Sequence, residues 1–130
     1  MEDKICIDTD ILADFLRNKN YAIEWMLKNK DKILATTAIN LFELYYGANI
    51  SQNFERSIDA INKLKERLLI LSFDDNFSNK AAALLSQLEK DGNVIGLKDI
   101  FIGSISLAND FSFKTNNLKH FERINGLKLI

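Results

Sequence analysis

The sequence predicts an α/β fold in a single domain, a central parallel sheet with helices on both faces, and three observations carry that prediction. Short apolar runs alternate along the chain with segments of helical periodicity, a pattern that calls for parallel strands joined by covering helices. The first run, Ile5-Cys6-Ile7, lacks the polar alternation of a half-wetted strand, so it reads as buried on both faces. The length, 130 residues, falls within the usual size of one domain and suffices to bury a core, so residues 1–130 are expected to form one unit.

Strand one stops abruptly at Asp8. Open α/β sheets bind ligands outside the carboxyl ends of their strands, so an acid there meets solvent and substrate rather than core. Asp8 or Thr9 is equally suited to cap the helix that begins near Asp10. In that helix Ile11, Leu12, Phe15 and Leu16 share one face, and Asn18-Lys19-Asn20 breaks the pattern. A second helix, residues 22–30, carries Ile23, Met26 and Leu27 on one side with Trp25 beside them, and ends in Lys28 and Lys30, which suit the negative end of the helix. Ile33-Leu34-Ala35-Thr36 reads as the second strand.

Residues 37–48 form a helix that is apolar nearly all round, which predicts packing on several sides. Its one charged residue is Glu43, whose neighbours three and four positions away, Ile39, Asn40, Tyr46 and Gly47, offer no base. Glu43 must therefore find a cation on another element or lie at an exposed margin. An amphipathic helix at 53–66 follows through Phe54, Ile58, Ile61, Leu64 and Lys65, then a third strand at 68–71. Asp74 and Asp75 suit the N-terminus of a helix over 77–90, with Ala81, Leu84, Leu85 and Leu88 inward, which Asp91-Gly92-Asn93 stops. Residues 96–108 look wholly interior apart from a charged first turn, where Asp99 too has an account in capping. Residues 112–115 give a fourth strand, Asn116-Asn117 a turn, and 127–129 an edge strand.

A formal net charge of −1 opposes a protein that holds nucleic acid by its overall field. Two local basic clusters remain, Lys114, Lys119, His120, Arg123 and Lys128 near the end of the chain and Lys63, Lys65 and Arg67 in the middle, each of which also reads as a solvated face. No apolar run reaches the length of a membrane span, and Met1-Glu2-Asp3-Lys4 lacks the basic and apolar regions of a secretory signal, so a cytoplasmic protein is expected. Cys6 is the single cysteine, placed in a buried strand, and is assigned packing rather than chemistry.

Four polar groups otherwise awkward to place converge in this architecture on one edge of the sheet: Asp8, Glu43, Asp99 and the Thr115-Asn116-Asn117 strand end. Mutually repelling carboxylates are tolerated around a divalent cation, and an all-oxygen set suits Mg²⁺ or Mn²⁺, whereas no Cys/His cluster exists for zinc. The segments Ile5-Cys6-Ile7-Asp8-Thr9-Asp10, Asn40-Leu41-Phe42-Glu43-Leu44-Tyr45-Tyr46-Gly47-Ala48, Leu97-Lys98-Asp99-Ile100-Phe101-Ile102-Gly103 and Thr115-Asn116-Asn117-Leu118-Lys119-His120-Phe121 together resemble the PIN-domain ribonucleases, most closely the VapC-type toxins.

The resemblance spans the chain and implies a metal-dependent endoribonuclease of the PIN-like fold, dimeric, and inhibited by a cognate antitoxin whose tail lies across the active site. By position Asp8, Glu43 and Asp99 match the family's acidic metal-binding residues, and Asn117 stands where many relatives carry a fourth acid. His120 stands where others have a further Asp, so the negative charge is reduced. Cleavage would hydrolyse a phosphodiester, with Thr115 either donating a hydrogen bond near the cluster or ending its strand. Trp25, Phe42, Tyr45, Tyr46 and Phe54 give the N-terminal half an aromatic surface suited to a homodimer and an antitoxin groove. Two other readings stand beside this one. Asp8-Thr9-Asp10 after an apolar strand also resembles the nucleophile motif of haloacid-dehalogenase-type phosphatases, with Asp8 attacking phosphate and Asp10 supplying the proton, although Glu43 would then be unused. Asn117 permits a catalytically inactive RNA- or partner-binding module on the same fold.

Overall fold

The computed structural model describes residues 3–93 and 95–130; Met1 and Glu2, part of the opening segment read for a secretory signal, lie outside the described residues, as does Val94. The described elements run β1 (Lys4–Ile7), α1 (Thr9–Leu16), α2 (Asn20–Lys28), β2 (Ile33–Thr37), α3 (Ala38–Asn49), α4 (Phe54–Lys65), β3 (Leu69–Leu71), α5 (Asp75–Lys90), α6 (Leu97–Ala108), β4 (Ser112–Lys114) and α7 (Leu118–Phe121). The strands order β3-β2-β1-β4, and every pairing is parallel. β1 is central, flanked by β2 through Ile5↔Leu34 and by β4 through Cys6↔Phe113.

Because side chains alternate across a strand, β1 feeds two cores. Cys6, Ala35 and Phe113 face one, closed by Ala81 and Leu88 of α5, Ile100 and Ile102 of α6, and Phe121 of α7. Ile5, Ile7 and Leu34 face the other, closed by Ile11 and Leu12 of α1, Met26 of α2, Leu44 and Ala48 of α3, and Ile61 and Leu64 of α4. Both faces of the sheet are thus covered by helices. Cys6 is fully buried, and burial pushes its thiol up to about 12, which keeps it unreactive. Gly103 lets α6 lie directly on Ile124, whose side chain a Cβ would strike.

Two expectations need correction. The predicted edge strand at 127–129 is a single parallel bridge, Phe113↔Leu129, beside hydrogen bonds from Phe113 N to the Lys128 carbonyl and from Ile130 N to the Phe113 carbonyl. Leu127 and Leu129 have a strand's alternation, but Gly126 at φ +86° turns the chain immediately before them. α3 is not enclosed, because Phe42, Tyr46 and Ile50 stand 58–67% exposed while Asn40, Leu44 and Ala48 face inward. α7 follows the expected Asn116-Asn117 turn, in a stretch for which the sequence predicts no element, with Asn117 as its N-cap residue at φ −97°.

Candidate active site

The carboxyl ends of β1, β2 and β4 meet along one edge, and a network of hydrogen bonds links side chains from four segments there. Asp8, the first residue after β1, is 92% buried and is the N-cap of α1, its Oδ1 accepting from Thr9 N at 2.8 Å. Capping and site membership are therefore one placement. Oδ1 also accepts from Asn40 Nδ2 at 3.0 Å, and Oδ2 accepts from the Thr115 hydroxyl at 2.6 Å. These three donors are all neutral. Burial pushes the Asp8 carboxyl up to about 6, the Asp10 and Asp99 charges push the same way, and the Thr115 and Thr9 hydrogen bonds oppose them.

Glu43 finds the cation its own helix lacks. Its Oε2 pairs with Lys98 Nζ at 3.0 Å across to the first turn of α6, and its Oε1 accepts from the Thr9 hydroxyl at 2.6 Å. The Glu43 hydrogen bond and charge raise the Lys98 ammonium above its ordinary value. Asp99, beside Lys98, makes no capping bond; Gly96 is the N-cap residue there, and Asp99 Oδ2 instead lies 3.0 Å from His120 Nδ1. Asn117 Nδ2 stands 2.9 Å from the same ring nitrogen, and Asn117 N donates to Thr115 Oγ1 at 2.9 Å. Thr115 therefore joins the cluster as well as following its strand. Hydrogen bonds run continuously from Lys98 through Glu43, Thr9, Asn40, Asp8 and Thr115 to Asn117, and His120 Nδ1 lies between the Asn117 amide and the Asp99 carboxylate, accepting from the first when unprotonated and donating to the second when protonated.

The predicted residues Asp8, Glu43, Asp99 and Asn117 are all members of this network. Among the described residues, no three His, Cys, Asp or Glu side chains stand together as a cation cage. The physical reason is visible in the partners, since Glu43 and Asp99 are each drawn to a basic side chain of this chain. In kind, the donors fit a hard divalent ion: they are carboxylate and amide oxygens, and the buried Asp8 carboxylate lies under the charges of two further acids with neutral donors alone to offset them.

Asp10 has a different duty. Burial raises its carboxyl, and its oxygens accept from Ile11 N at 2.7 Å and Asn116 N at 2.9 Å, anchoring the loop that carries Asn117. Those bonds commit the residue that a phosphatase scheme would use as proton donor. Asn116 Nδ2 also donates to Tyr21 Oη at 2.8 Å, and Tyr21 donates to Asp14. Of the basic clusters, Lys65 and Arg67 lie over the rings of Tyr45 and Phe15, and Lys114 over Trp25, whereas Lys119, His120 and Lys128 are exposed around the end of the chain.

Sequence reasoning missed Asn40 and Lys98 as members of the network. The available signals were a polar residue one turn before Glu43 in an apolar helix, and a base immediately before Asp99. Next to Glu43 and Thr9 opens a cleft of about 560 Å³ between α1, α3 and α4, floored by Leu44, Ala48 and Ile61 and edged by Arg17 and Arg56.

Fold and site together define a parallel α/β domain with an acidic, oxygen-lined centre at the carboxyl edge of its sheet. This chain belongs to the PIN-domain family, as the match of the PIN domain family model to residues 5–127 shows. Among its relatives, it is 33% identical over 126 residues to "Ribonuclease VapC2" of Rickettsia felis, covering 95% of this chain and 93% of that protein. It is 26% identical over 125 residues to "tRNA(fMet)-specific endonuclease VapC" of Shigella flexneri, covering 96% and 95%. The fold is similar to that in the crystal structure of DNA-bound VapBC from Salmonella typhimurium, at a TM-score of 0.90 and 27% identity over 100% of this chain and 98% of that one.

Proposed function

We propose that this chain is a divalent-cation-dependent endoribonuclease, the toxin of a toxin–antitoxin pair, in which Asp8, Glu43 and Asp99 hold the cation and Asn117 lends an uncharged amide. The observation that carries this reading is the placement of Asp8: a buried carboxylate at a strand end, fixed by three neutral donors and facing further acids. Relatives that cover nearly the whole chain are ribonucleases by name, and the similar structures include a DNA-bound VapBC, which supports an RNA substrate and an antitoxin partner.

When bound, Mg²⁺ or Mn²⁺ supplies an activated water and offsets charge growing on the phosphate oxygens. The chain's own residues prepare for this. The Thr115 hydroxyl and the Asn40 amide fix both Asp8 oxygens, so that its rotamer is set before substrate arrives. Thr9 fixes one Glu43 oxygen and leaves the other to Lys98, an exposed cation beside the acids. Lys119 and Lys128 are exposed to guide the RNA backbone, a contact that positions without reading sequence.

The cleft between α1, α3 and α4 is the proposed seat of the antitoxin tail, because it is apolar at its floor and opens beside Glu43. The proposed homodimer face is the α3 stripe, where Phe42 and Tyr46 stack with ring centroids 6.5 Å apart and Phe54 is also exposed. Trp25 and Tyr45, two of the aromatics expected at interfaces, pack against the core instead. The whole of residues 1–130 is read as one nuclease domain, and the cytoplasm, where its RNA substrate lies, as its place. No helix of the described residues is long and apolar enough to cross a membrane. The test is incubation of the purified protein with total RNA. Fragments that accumulate with Mg²⁺ or Mn²⁺ and vanish with chelator are expected, and cleavage indifferent to chelator, or none with either ion, overturns the reading.

A further inference from the structure

Asn40 is fully buried in the first turn of α3, and all four hydrogen-bonding positions of its amide are filled. Its Oδ1 accepts from Thr37 N at 3.1 Å and from the Thr37 hydroxyl at 2.7 Å, and its backbone N–H donates to Thr37 Oγ1 at 3.1 Å, forming a capping box. Its Nδ2 donates to Asp8 Oδ1 at 3.0 Å and to Thr9 Oγ1 at 2.9 Å, and the Thr9 hydroxyl donates in turn to Glu43 Oε1 at 2.6 Å. One amide thus reaches two acids from two different elements, Asp8 directly and Glu43 through one hydroxyl. Few side chains can replace it. A carboxylate at position 40 would set oxygen against oxygen at Asp8, and a hydroxyl has a single proton to give where two are used.

We propose that Asn40 is a positioning residue that fixes the rotamers of Asp8 and Glu43 relative to each other, and through them the affinity of the site for a divalent cation. The proposal rests on the metal-dependent reading above. Groups that orient ligands in this way typically contribute 10- to 100-fold in metal affinity or activity. The capping box supplies a purely structural role for the same residue, and the two roles separate at Thr37, since none of its side-chain hydrogen bonds reaches an acid.

The experiment compares calorimetric Mn²⁺ titrations of the full chain with its melting temperature in EDTA for wild type, Asn40→Ala, Asn40→Ser and Thr37→Val. Every substitution weakens the capping box, so all three variants are expected to melt lower. Asn40→Ala and Asn40→Ser are expected to bind Mn²⁺ about 10- to 100-fold more weakly, whereas Thr37→Val stays within about twofold of wild type, because the hydrogen bonds from Asn40 to Asp8 and Thr9 are kept. Asn40→Ser keeps a hydroxyl for the cap while being too short for Asp8, and so holds the comparison open if Asn40→Ala does not fold. An Asn40 variant that folds and binds Mn²⁺ as Thr37→Val does overturns the positioning role alone. A wild type that takes no Mn²⁺ overturns the functional reading and the positioning role with it.

Discussion

Asp8 and Glu43 carry the same charge on the same edge of the sheet, yet they are held in opposite ways. Asp8 is buried and surrounded by neutral donors, while Glu43 sits at the rim with Lys98, a partner that is 61% exposed at its side chain. Asp99 follows Glu43, drawn to His120 at the margin. A carboxylate without a counter-ion in a dry site costs stability, whereas a rim acid with a flexible base can exchange partners at little expense. The site therefore combines one rigid, uncompensated anchor with two acids whose basic partners are displaceable.

The largest effect should come from removing the anchor. Asp8→Asn is expected to lower RNA cleavage by about three orders of magnitude, matching the several kcal/mol of transition-state stabilisation that a metal supplies. The same substitution should stabilise the cation-free protein at neutral pH. The Asp8 carboxyl is raised from an ordinary value of 3.8 to about 6. Between those values the folded state keeps a proton that the unfolded chain has lost, so this group's contribution to stability falls as pH rises, and the full cost of about 3 kcal/mol is present above pH 6. Denaturant melts in EDTA should show Asp8→Asn matching wild type near pH 4 and exceeding it at pH 7.5. A variant less stable than wild type at both values would mean that Asp8 is compensated after all.

A smaller effect tests the rim. An ion pair as exposed as Lys98 with Glu43 contributes up to about 1 kcal/mol, so Lys98→Met should tighten Mn²⁺ by no more than about fivefold in calorimetry. Weaker binding in that variant would show that Lys98 supports the cation site rather than competing for Glu43. Smaller still is the expected effect of Asn117, whose amide brings no charge: Asn117→Ala should keep measurable cleavage, and Asn117→Asp should tighten Mn²⁺. An unchanged dissociation constant in Asn117→Asp would remove that residue from the site.

The contrast between anchor and rim also marks what the sequence could reveal. Asp8 was legible because an apolar strand ends on it, and Glu43 because a single charge in an apolar helix demands a partner. The partners themselves were not legible. Lys98 lies 55 positions from Glu43 and meets it only because α6 and α3 come together at one edge. His120 sits in a helix of four residues, too short for any periodicity, and Asn40 looks like any polar residue near a helix start. The apolar pattern of α3 left enclosure and an interface face unseparated, because an apolar stripe waiting for a partner has the same pattern as one already buried. Leu127 and Leu129 misled in a similar way, since their alternation is a strand's while only Leu129 finds a pairing partner.

The most direct test of the anchor is a thermal melt of wild type and Asp8→Asn across millimolar Mn²⁺. A ligand that binds the folded state alone adds about 2.7 kcal/mol at a hundred times its dissociation constant. The wild-type melting temperature should therefore climb with Mn²⁺ and that of Asp8→Asn should stay level, with Asp99→Asn between them. Equal climbs in wild type and Asp8→Asn, or a level wild type, would contradict a cation site assembled on Asp8.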